Sequence, residues 1–435
     1  MPNFLDNVDV IDAKNQVHNV QLQDRNSLAL ATEAIGRVST LEKLNIVTPQ
    51  MFGAVADGSN NDTQAINDAL ASGKTVYFPE GVYRITDTID IPLGATLIGA
   101  LAPLTSGNTF GVTILHDGDG DTINVPNYHT CSISNIMIDK TNSINGNGVN
   151  IELVDGFTLH NVKVRNHNNG IRVVGCSFGT IENCICENNY NDGFYLGNNE
   201  TLNTCQVQVS GCLSELNNGC GFHYVTQRPT MPVGTFSNNM TFANHRGGVV
   251  YERYGSTSYF ITGIKISGCF IGGDDVLGGI YIDCTNYPVI IDNCYIEMSG
   301  VDNNGRNYAT APSGYSHNID IREAPEVSIN NCAICTSAEA GIASGVANTN
   351  VSITNCSFKN NGISQTASAA QKSDVLIANG NAVICNNMFA ESVNGVYVYT
   401  DNDIKIIGNI FNNTSGITNA GSGTQIKFNI GVSDN

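Results

Sequence analysis

The sequence has few charged residues and, among these, few basic ones, and both shortages exclude classes of partner. Charged residues make up 14% of the 435, and 20 Lys and Arg stand against 39 Asp and Glu, which gives a formal net charge of −19. Because such a surface repels phosphate groups, we expect neither a nucleic acid nor an anionic membrane as a partner. An acidic glycan would also be repelled overall.

Long apolar runs are missing as well. No stretch approaches the roughly 18 consecutive apolar residues that a membrane-spanning helix needs. The first residues, MPNFLDNVDVIDAK, lack the basic and apolar regions of a secretory signal. We therefore expect a soluble protein that is made in a cytosol without a signal peptide.

The chain does contain 14 cysteines, but their spacings give no Cys/His metal cluster. Six of them fall at one position of a repeat. In a reducing cytosol we expect these residues to be buried free thiols that pack as small apolar groups, with no disulfides. The sequence thus predicts neither a metal nor a cofactor.

A short phrase recurs along the chain from about residue 131. Its copies lie 22 to 38 residues apart, and they include SISNI (132–136), TLHNV (158–162), TIENC (180–184), KISGC (265–269), IIDNC (290–294) and SITNC (352–356). The spacing is typical of a coil of three short strands with loops of variable length, so the chain is predicted to be an all-β solenoid of about twelve coils.

Two positions of this phrase carry the turn and part of the core. The fourth position is Asn or Gly in every copy: Asn135, Asn161, Asn183, Gly211, Gly268, Asn293, Asn331, Asn355, Asn386 and Gly408. Since both residues accept a positive φ, a sharp turn is predicted there. The fifth position is often cysteine and predicts a buried ladder: Cys184, Cys212, Cys269, Cys294, Cys332 and Cys356.

A second set of strands follows these turns and alternates clearly between apolar and polar residues. The predicted inward positions are Val149, Ile171, Phe194, Phe222, Val249, Ile280 and Ile319. The side chains between them should face solvent on one parallel sheet. A rod with one long exposed face suits a chain-like ligand.

Residues 49–85 read PQMFGAVADGSNNDTQAINDALASGKTVYFPEGVYRI. This segment resembles the start of the β-helices of the pectate-lyase superfamily, which implies a single-stranded right-handed parallel β-helix with an N-terminal capping helix. Asp62 is expected to cap that helix, and its buried face to be Ala65, Ile66, Ala69 and Leu70. The predicted divisions are an arm over 1–47, a cap with the first coils over 48–130, and the parallel β-helix over 131–435.

Within this superfamily the chain looks most like bacteriophage tailspikes and tail-associated depolymerases. That resemblance implies a homotrimer on a virion tail that cleaves a polysaccharide of the bacterial surface, with residues 1–47 as a short arm for oligomerisation or attachment to tail proteins. Leu28, Ala31, Ile35 and Val38 give the arm one short coiled-coil stripe. The alternative is a single amphipathic helix that docks on the base of the solenoid.

The solvent-facing positions of the second strand set carry the candidate chemistry. One outward column is Asn150, Arg172, Tyr195, His223, Val250, Tyr281 and Asp320, and the next is Glu152, Gly197, Val225, Glu252, Asp283 and Arg322. Glycoside hydrolysis needs two carboxyl groups, one protonated and one ionised. Glu252 and Asp283 are the first predicted pair, since adjacent strands would bring them close enough for repulsion to raise one pKa, and Asp320 could replace either.

The remaining outward residues of these columns are predicted to bind substrate. Tyr195, His223 and Tyr281 would floor a groove, while Arg172 and Arg322 would hold polar groups of the sugar. Three alternatives stay open at this point. In the first, the carboxylates form a solvated ladder with Arg253 and Arg322. In the second, the enzyme is a uronic-acid lyase with His223 or Tyr281 as base. In the third, the chain is a non-catalytic glycan-binding fibre or adhesin.

Overall fold

The computed structural model is a right-handed parallel β-helix. It describes the backbone of residues 6–11 and 17–22, and residues 45–431 apart from 102–110, 142–143, 199–205, 228–229, 254–259, 284, 300–315, 346–348, 365–366, 400–402, 413 and 420–421. Each coil contributes one strand to each of three parallel sheets, which we number 1 to 3 in the order in which a coil visits them.

Sheet 1 has 15 strands and contains the recurring phrase. Its strands are Ile46–Val47, Thr75–Phe78, Ala95–Gly99, Cys131–Ser134, Phe157–His160, Gly179–Glu182, Val207–Ser210, Phe236–Ser237, Lys265–Ser267, Val289–Asp292, Glu326–Asn330, Asn350–Thr354, Asn381–Cys385, Ile404–Ile407 and Thr424–Lys427. Coils therefore begin well before residue 131, and there are more of them than the twelve predicted.

Sheet 2 has 14 short strands, and from Met137 onward each comes directly after an Asn or Gly turn. They are Asp57–Asn61, Gly81–Ile85, Val112–His116, Met137–Lys140, Lys163–Arg165, Ile185–Glu187, Leu213–Glu215, Met240–Phe242, Phe270–Gly272, Tyr295–Glu297, Ala333–Cys335, Ser357–Lys359, Met388–Ala390 and Ile410–Asn412. Along a coil, the sheet 2 strand comes after the recurring phrase and before the strand of the second predicted set.

Sheet 3 has 13 strands and carries the candidate site on its outer face. They are Ile89–Asp90, Ile123–Val125, Val149–Glu152, Ile171–Val174, Phe194–Gly197, Cys220–Thr226, Gly247–Arg253, Ile280–Asp283, Ile319–Glu323, Ile342–Ser344, Ser373–Ile377, Asn394–Val398 and Ile417–Asn419. A small parallel pair, Thr230–Pro232 with Phe260–Thr262, lies beyond the two longest of these strands.

The turn and core predictions are confirmed. All ten Asn and Gly turn residues have φ between 53° and 69°. At Gly211 a second constraint applies, because a Cβ would lie 2.3 Å from Oδ1 of Asn183 on the preceding coil. The seven predicted inward residues of sheet 3 are fully buried and belong to one continuous core.

The cysteine ladder is confirmed too, since its six members are at most 3% exposed. All twelve cysteines in the described part of the chain are free thiols. Cys332 and Cys335 have C-x-x-C spacing, yet Cys332 packs in the core while Cys335 is partly exposed, with its Sγ 3.5 Å from Oη of Tyr295. Because successive side chains of a strand point to opposite faces of the sheet, Cys332 faces the core and Cys335 faces the outer surface of the β-helix.

The capping helix spans Thr63–Ala71 and begins after Asp62, as predicted. Ala65, Ile66, Ala69 and Leu70 are buried in the main core. The expected capping bond is wrong, however, because the Asp62 carboxylate accepts from the amides of Val55 and Ala56, 2.8 and 3.1 Å away. In the described part of the chain, no helix has the length and apolar character that crossing a membrane requires.

The N-terminal arm contains an antiparallel strand pair, Asp6–Ile11 with Val17–Leu22, that the sequence analysis did not predict. The predicted stripe over Leu28, Ala31, Ile35 and Val38 lies outside the described residues. The helix expected there, whether coiled coil or docking helix, stays a prediction.

Candidate active site

The first outward column of sheet 3 has the predicted register throughout, and the second has it as far as Asp283. Pairing runs from Asn150 through Arg172, Tyr195, His223, Val250 and Tyr281 to Asp320. The second column runs through Glu252 to Asp283, but its next member is Glu323 and not Arg322, because a bulge shifts the register after Ile282. A bulge leaves one residue unpaired and redirects its side chain. Placing Arg322 in that column was therefore wrong.

His223 and three other charged side chains, Asp192, Glu252 and Arg246, are linked by hydrogen bonds. Nδ1 of His223 is 2.7 Å from Oδ2 of Asp192, and its Nε2 is 2.8 Å from Oε1 of Glu252. The other oxygen of Glu252 accepts a hydrogen bond of 2.6 Å from Arg246. Asp192 is only 2% exposed and is fixed by the backbone amide of Cys220, which donates to its Oδ1 at 2.7 Å.

This network fixes the charge of its two central members. Burial disfavours a charged imidazole, but the two carboxylates outweigh that effect and raise the pKa of His223 to about 9. Burial likewise disfavours ionised Glu252, yet hydrogen bonds and charges from His223 and Arg246 prevail and lower its pKa to about 2. At neutral pH, His223 is an imidazolium and Glu252 is a carboxylate.

Asp192, Cys220 and His223 also offer an oxygen, a sulfur and a nitrogen within 4.8 Å of one another. Zinc accepts these ligand types. Here, however, both ring nitrogens face carboxylates, and Nη1 of Arg246 lies 3.3 Å from Sγ of Cys220. A guanidinium already supplies the positive charge at this point, so we assign no metal to it.

Asp283 has a different environment from its neighbour Glu252. Tyr281 donates a long hydrogen bond of 3.3 Å to Oδ2, and Arg253 lies 3.6 Å from Oδ1 but is shared with Glu323, which it approaches to 2.5 Å. Burial raises the pKa of Asp283 and the negative charge of Glu323 adds to that effect, while Arg253 opposes it. The predicted cause, repulsion from Glu252, is not among these contributions.

Asp320, one strand further, is only 1% exposed. Arg322 donates two hydrogen bonds to its Oδ2, at 2.8 and 2.6 Å. Burial nonetheless outweighs this pairing and raises the pKa of Asp320 to about 7. Both residues line a cleft of about 170 Å³ that extends toward the later coils.

The structure brings most of the predicted site residues together in two adjoining groups. Tyr195 packs edge-on against His223 at a centroid distance of 5.5 Å, beside Glu252. Tyr281, Asp283, Asp320 and Arg322 form the second group. Arg172 stays apart, three strands from Glu252, where it bonds Asn150 and Glu152.

Sequence analysis missed Asp192 and Arg246, which stand in the turns that lead into sheet 3. Asp192 precedes Gly193 and Arg246 precedes Gly247, and both turns open onto an outward-facing strand. The sequence signal for these two site residues is a charged residue directly before the glycine that leads into a strand of sheet 3.

Comparison with known proteins identifies the class. Residues 47–275 match the family described as rhamnogalacturonase A/epimerase, pectate lyase-like, and the chain belongs to this family. The structure is similar to tailspike protein 3 of bacteriophage CBA120, with a TM-score of 0.60, 14% identity, and coverage of 96% of this chain and 70% of that one. The A-module of the Azotobacter vinelandii mannuronan C-5 epimerase AlgE6 aligns at a TM-score of 0.56 and 18% identity, over 89% of this chain and all of the module.

Two relatives in sequence are capsule depolymerases of Klebsiella phages. The K30/K69-specific depolymerase 1 of phage K5-2 is 26% identical over 313 residues, which are 65% of this chain and 36% of the relative. The K30/K69-specific depolymerase of phage K64-1 is 27% identical over 176 residues, 38% of this chain and 21% of the relative. The matches thus span about a third or less of each relative.

Proposed function

We propose that the chain is a polysaccharide depolymerase of the glycoside hydrolase type that acts on a glycan of the bacterial surface. The observation that carries this proposal is the contrast between Glu252 and Asp283. They are paired on adjacent strands, and their environments shift their pKa values in opposite directions. Paired carboxyls whose proton affinities are driven apart are the usual acid and base of such enzymes.

In this mechanism Asp283 is the proton donor and Glu252 the ionised partner. Asp283 gives its proton to the glycosidic oxygen as the bond to the leaving sugar breaks. Glu252 attacks the anomeric carbon, and water then releases the sugar while Asp283, now ionised, takes a proton from that water. Adjacent parallel strands are about 4.8 Å apart, which is near the roughly 5 Å carboxyl separation of retaining enzymes.

Asp320 is the second candidate for the proton donor. Its pKa of about 7 suits a general acid near neutrality, and it lines the cleft. Asp320 lies two strands from Glu252 in sheet 3, so a role for Asp320 places the scissile bond one strand further along the rod.

The lyase alternative has less support. His223 is protonated at neutral pH and has both ring nitrogens engaged, so it has no lone pair with which to remove a proton. Burial raises the pKa of the Tyr281 phenol, which opposes its use as a base. The arginines near the site each face a carboxylate, whereas a lyase needs a cation for the uronate group.

Digestion of a panel of capsular polysaccharides, beginning with the K30 and K69 capsules named for the relatives, tests the proposal. New reducing ends with saturated products in mass analysis support a hydrolase. Ultraviolet absorbance from an unsaturated product would instead identify a lyase. Retention of a glycan with no cleavage of it would favour the third candidate, a glycan-binding fibre or adhesin.

The proposed location is a virion tail, with residues 1–47 as the segment for trimerisation or attachment, 48–130 as the cap with the first coils and 131–435 as the glycan-binding rod. The location is supported by the sequence similarity to phage depolymerases. Light scattering should report a mass of about three times 46.3 kDa. A monomer at micromolar concentration would overturn the trimer.

A further inference from the structure

The outer face of sheet 3 changes character beyond Asp320. The column that holds Tyr281 and Asp320 continues through Ala343, Leu376 and Tyr397. Charged groups thus give way to small apolar residues and then to an aromatic ring within three coils. Ala343 and Leu376 are in contact in a small apolar cluster on this outer face, and Tyr397 packs against it.

The cleft beside Asp320 bridges these two regions. It is lined on one side by Asp320 and Arg322 and on the other by Leu376 and Ala378. Tyr397 is the strand partner of Leu376 on the next coil. Val398 is paired with Ile377 of the preceding coil. Ala378 and Tyr399 are the residues that follow these two, so Tyr399 continues the column that contains Ala378.

The two tyrosines present a ring surface at the far end of the cleft. Their centroids are 5.4 Å apart with a tilt of 42°, and Tyr399 is 60% exposed. Aromatic faces of this kind stack on the C–H faces of sugars and supply large contact area at low entropic cost. The pair adjoins the cleft because Tyr397 packs against the apolar cluster that contains Leu376, a residue of the cleft wall.

Charge indicates what kind of ligand fits. Arg322 donates to Asp320 at 2.6 Å, and Gln371 donates its amide to Glu339 at 2.8 Å. The surface left for a ligand is thus the apolar cluster and two aromatic rings, within a chain whose net charge is −19. This surface matches the apolar face of an uncharged sugar, and the arginine in the cleft wall, Arg322, is bonded to Asp320 rather than open to a uronate.

We propose that this cleft and the pair Tyr397 and Tyr399 bind an uncharged pyranose residue of the glycan, next to the residue that is cleaved. For its biological meaning, this proposal rests on the function proposed above. It also implies the path of the bound glycan. The sugar chain runs along the rod from Glu252 through the cleft toward the later coils.

Saturation-transfer NMR with simple glycosides tests the site without any need for turnover. The probes are the methyl glycosides of glucose, galactose, mannose and rhamnose, with methyl glucuronide as the charged comparison. At least one neutral glycoside should bind the full-length chain, and Tyr399→Ala should weaken that binding roughly fivefold or more. Tyr399→Phe keeps the ring and should retain binding.

Tyr128→Ala provides the matched control, because Tyr128 is 73% exposed on a turn after an early strand of sheet 3, far from the cleft. This variant should bind as the unchanged chain does. Absence of binding by every neutral glycoside, binding that survives Tyr399→Ala, or a preference for the glucuronide would overturn the proposal. Binding without any cleavage of the polysaccharide panel would refute the depolymerase and leave this site standing.

Discussion

Glu252 and Asp283 are strand partners on adjacent coils, yet one carboxyl is held ionised and the other is held toward its protonated form. The difference comes from their neighbours. Glu252 bonds both an imidazolium and a guanidinium, at 2.8 and 2.6 Å, whereas Asp283 shares Arg253 with Glu323. The same backbone geometry thus gives two carboxyls with distinct chemical roles.

The first prediction concerns this pair. Glu252→Gln and Asp283→Asn should each lower turnover by roughly two orders of magnitude or more, which is typical of the loss of a catalytic acid or base. Each substitution removes a group that acts in the transition state. Glycan binding should remain nearly intact. Initial rates of reducing-end release and binding to the intact polysaccharide would be measured side by side.

Glu152→Gln is the matched control for these variants. Glu152 belongs to the same outward column and bonds Arg172 at 3.0 Å, but it lies several coils away. Its substitution should leave the rate unchanged. Full activity of the Glu252→Gln/Asp283→Asn double variant would remove the assignment, and Asp320→Asn would then be the variant to examine.

The second prediction concerns His223 and stability at alkaline pH. Its pKa in the folded chain is about 9, above the unfolded value near 6.5, so its stabilising contribution is present below pH 6.5 and is lost as the pH rises to 9. His223→Gln should therefore cost on the order of 2 kcal/mol at pH 6 and less at pH 9.5. Denaturant unfolding at both values would measure this, and an equal cost at both would contradict it.

A third prediction follows from the turn at Asn355, which has φ of 55°. Alanine is strained in this region of the backbone, while glycine is not. Asn355→Ala should cost about 1 to 2 kcal/mol of unfolding free energy, and Asn355→Gly should cost less despite losing the larger side chain. Thermal unfolding of both variants checks the order, and the reverse order would show that the side chain itself matters more.

Much of this fold could be predicted because the same local sequence pattern recurs on successive coils. Each Asn or Gly that must turn, and each apolar residue that alternates inward, is repeated on the next coil, so a single misread position does not alter the result. The outward columns followed from the same alternation. The error at Arg322 arose where one strand departs from the rule through a bulge.

The electrostatics of the site were harder to predict, because they depend on residues outside the repeat. Asp192 comes from a turn two coils before Glu252, and Arg246 from the turn just before the strand of Glu252, so only the folded structure shows that they meet His223 and Glu252.

Asp274 ends a ladder of buried amides, and it carries the last prediction. Asn189 donates to Asn217, Asn217 to Asn244, and Asn244 to Oδ1 of Asp274, each at 2.8 to 2.9 Å. Burial raises the pKa of Asp274 to about 7, although these bonds and that from Thr241 oppose the shift.

A carboxyl whose folded pKa lies above its unfolded value near 3.9 favours the folded state in its protonated form, so stability falls as the pH rises from about 4 to about 7. Asp274→Asn continues the ladder with an uncharged amide and should stabilise the chain at pH 8 by on the order of 2 kcal/mol, with little effect at pH 4. Asp403→Asn, on an exposed carboxylate that bonds Lys405, is the control and should change stability little at either pH. Unfolding free energies at pH 4 and pH 8 decide the matter, since destabilisation by Asp274→Asn at pH 8 would mean that the ionised carboxylate itself holds the ladder together.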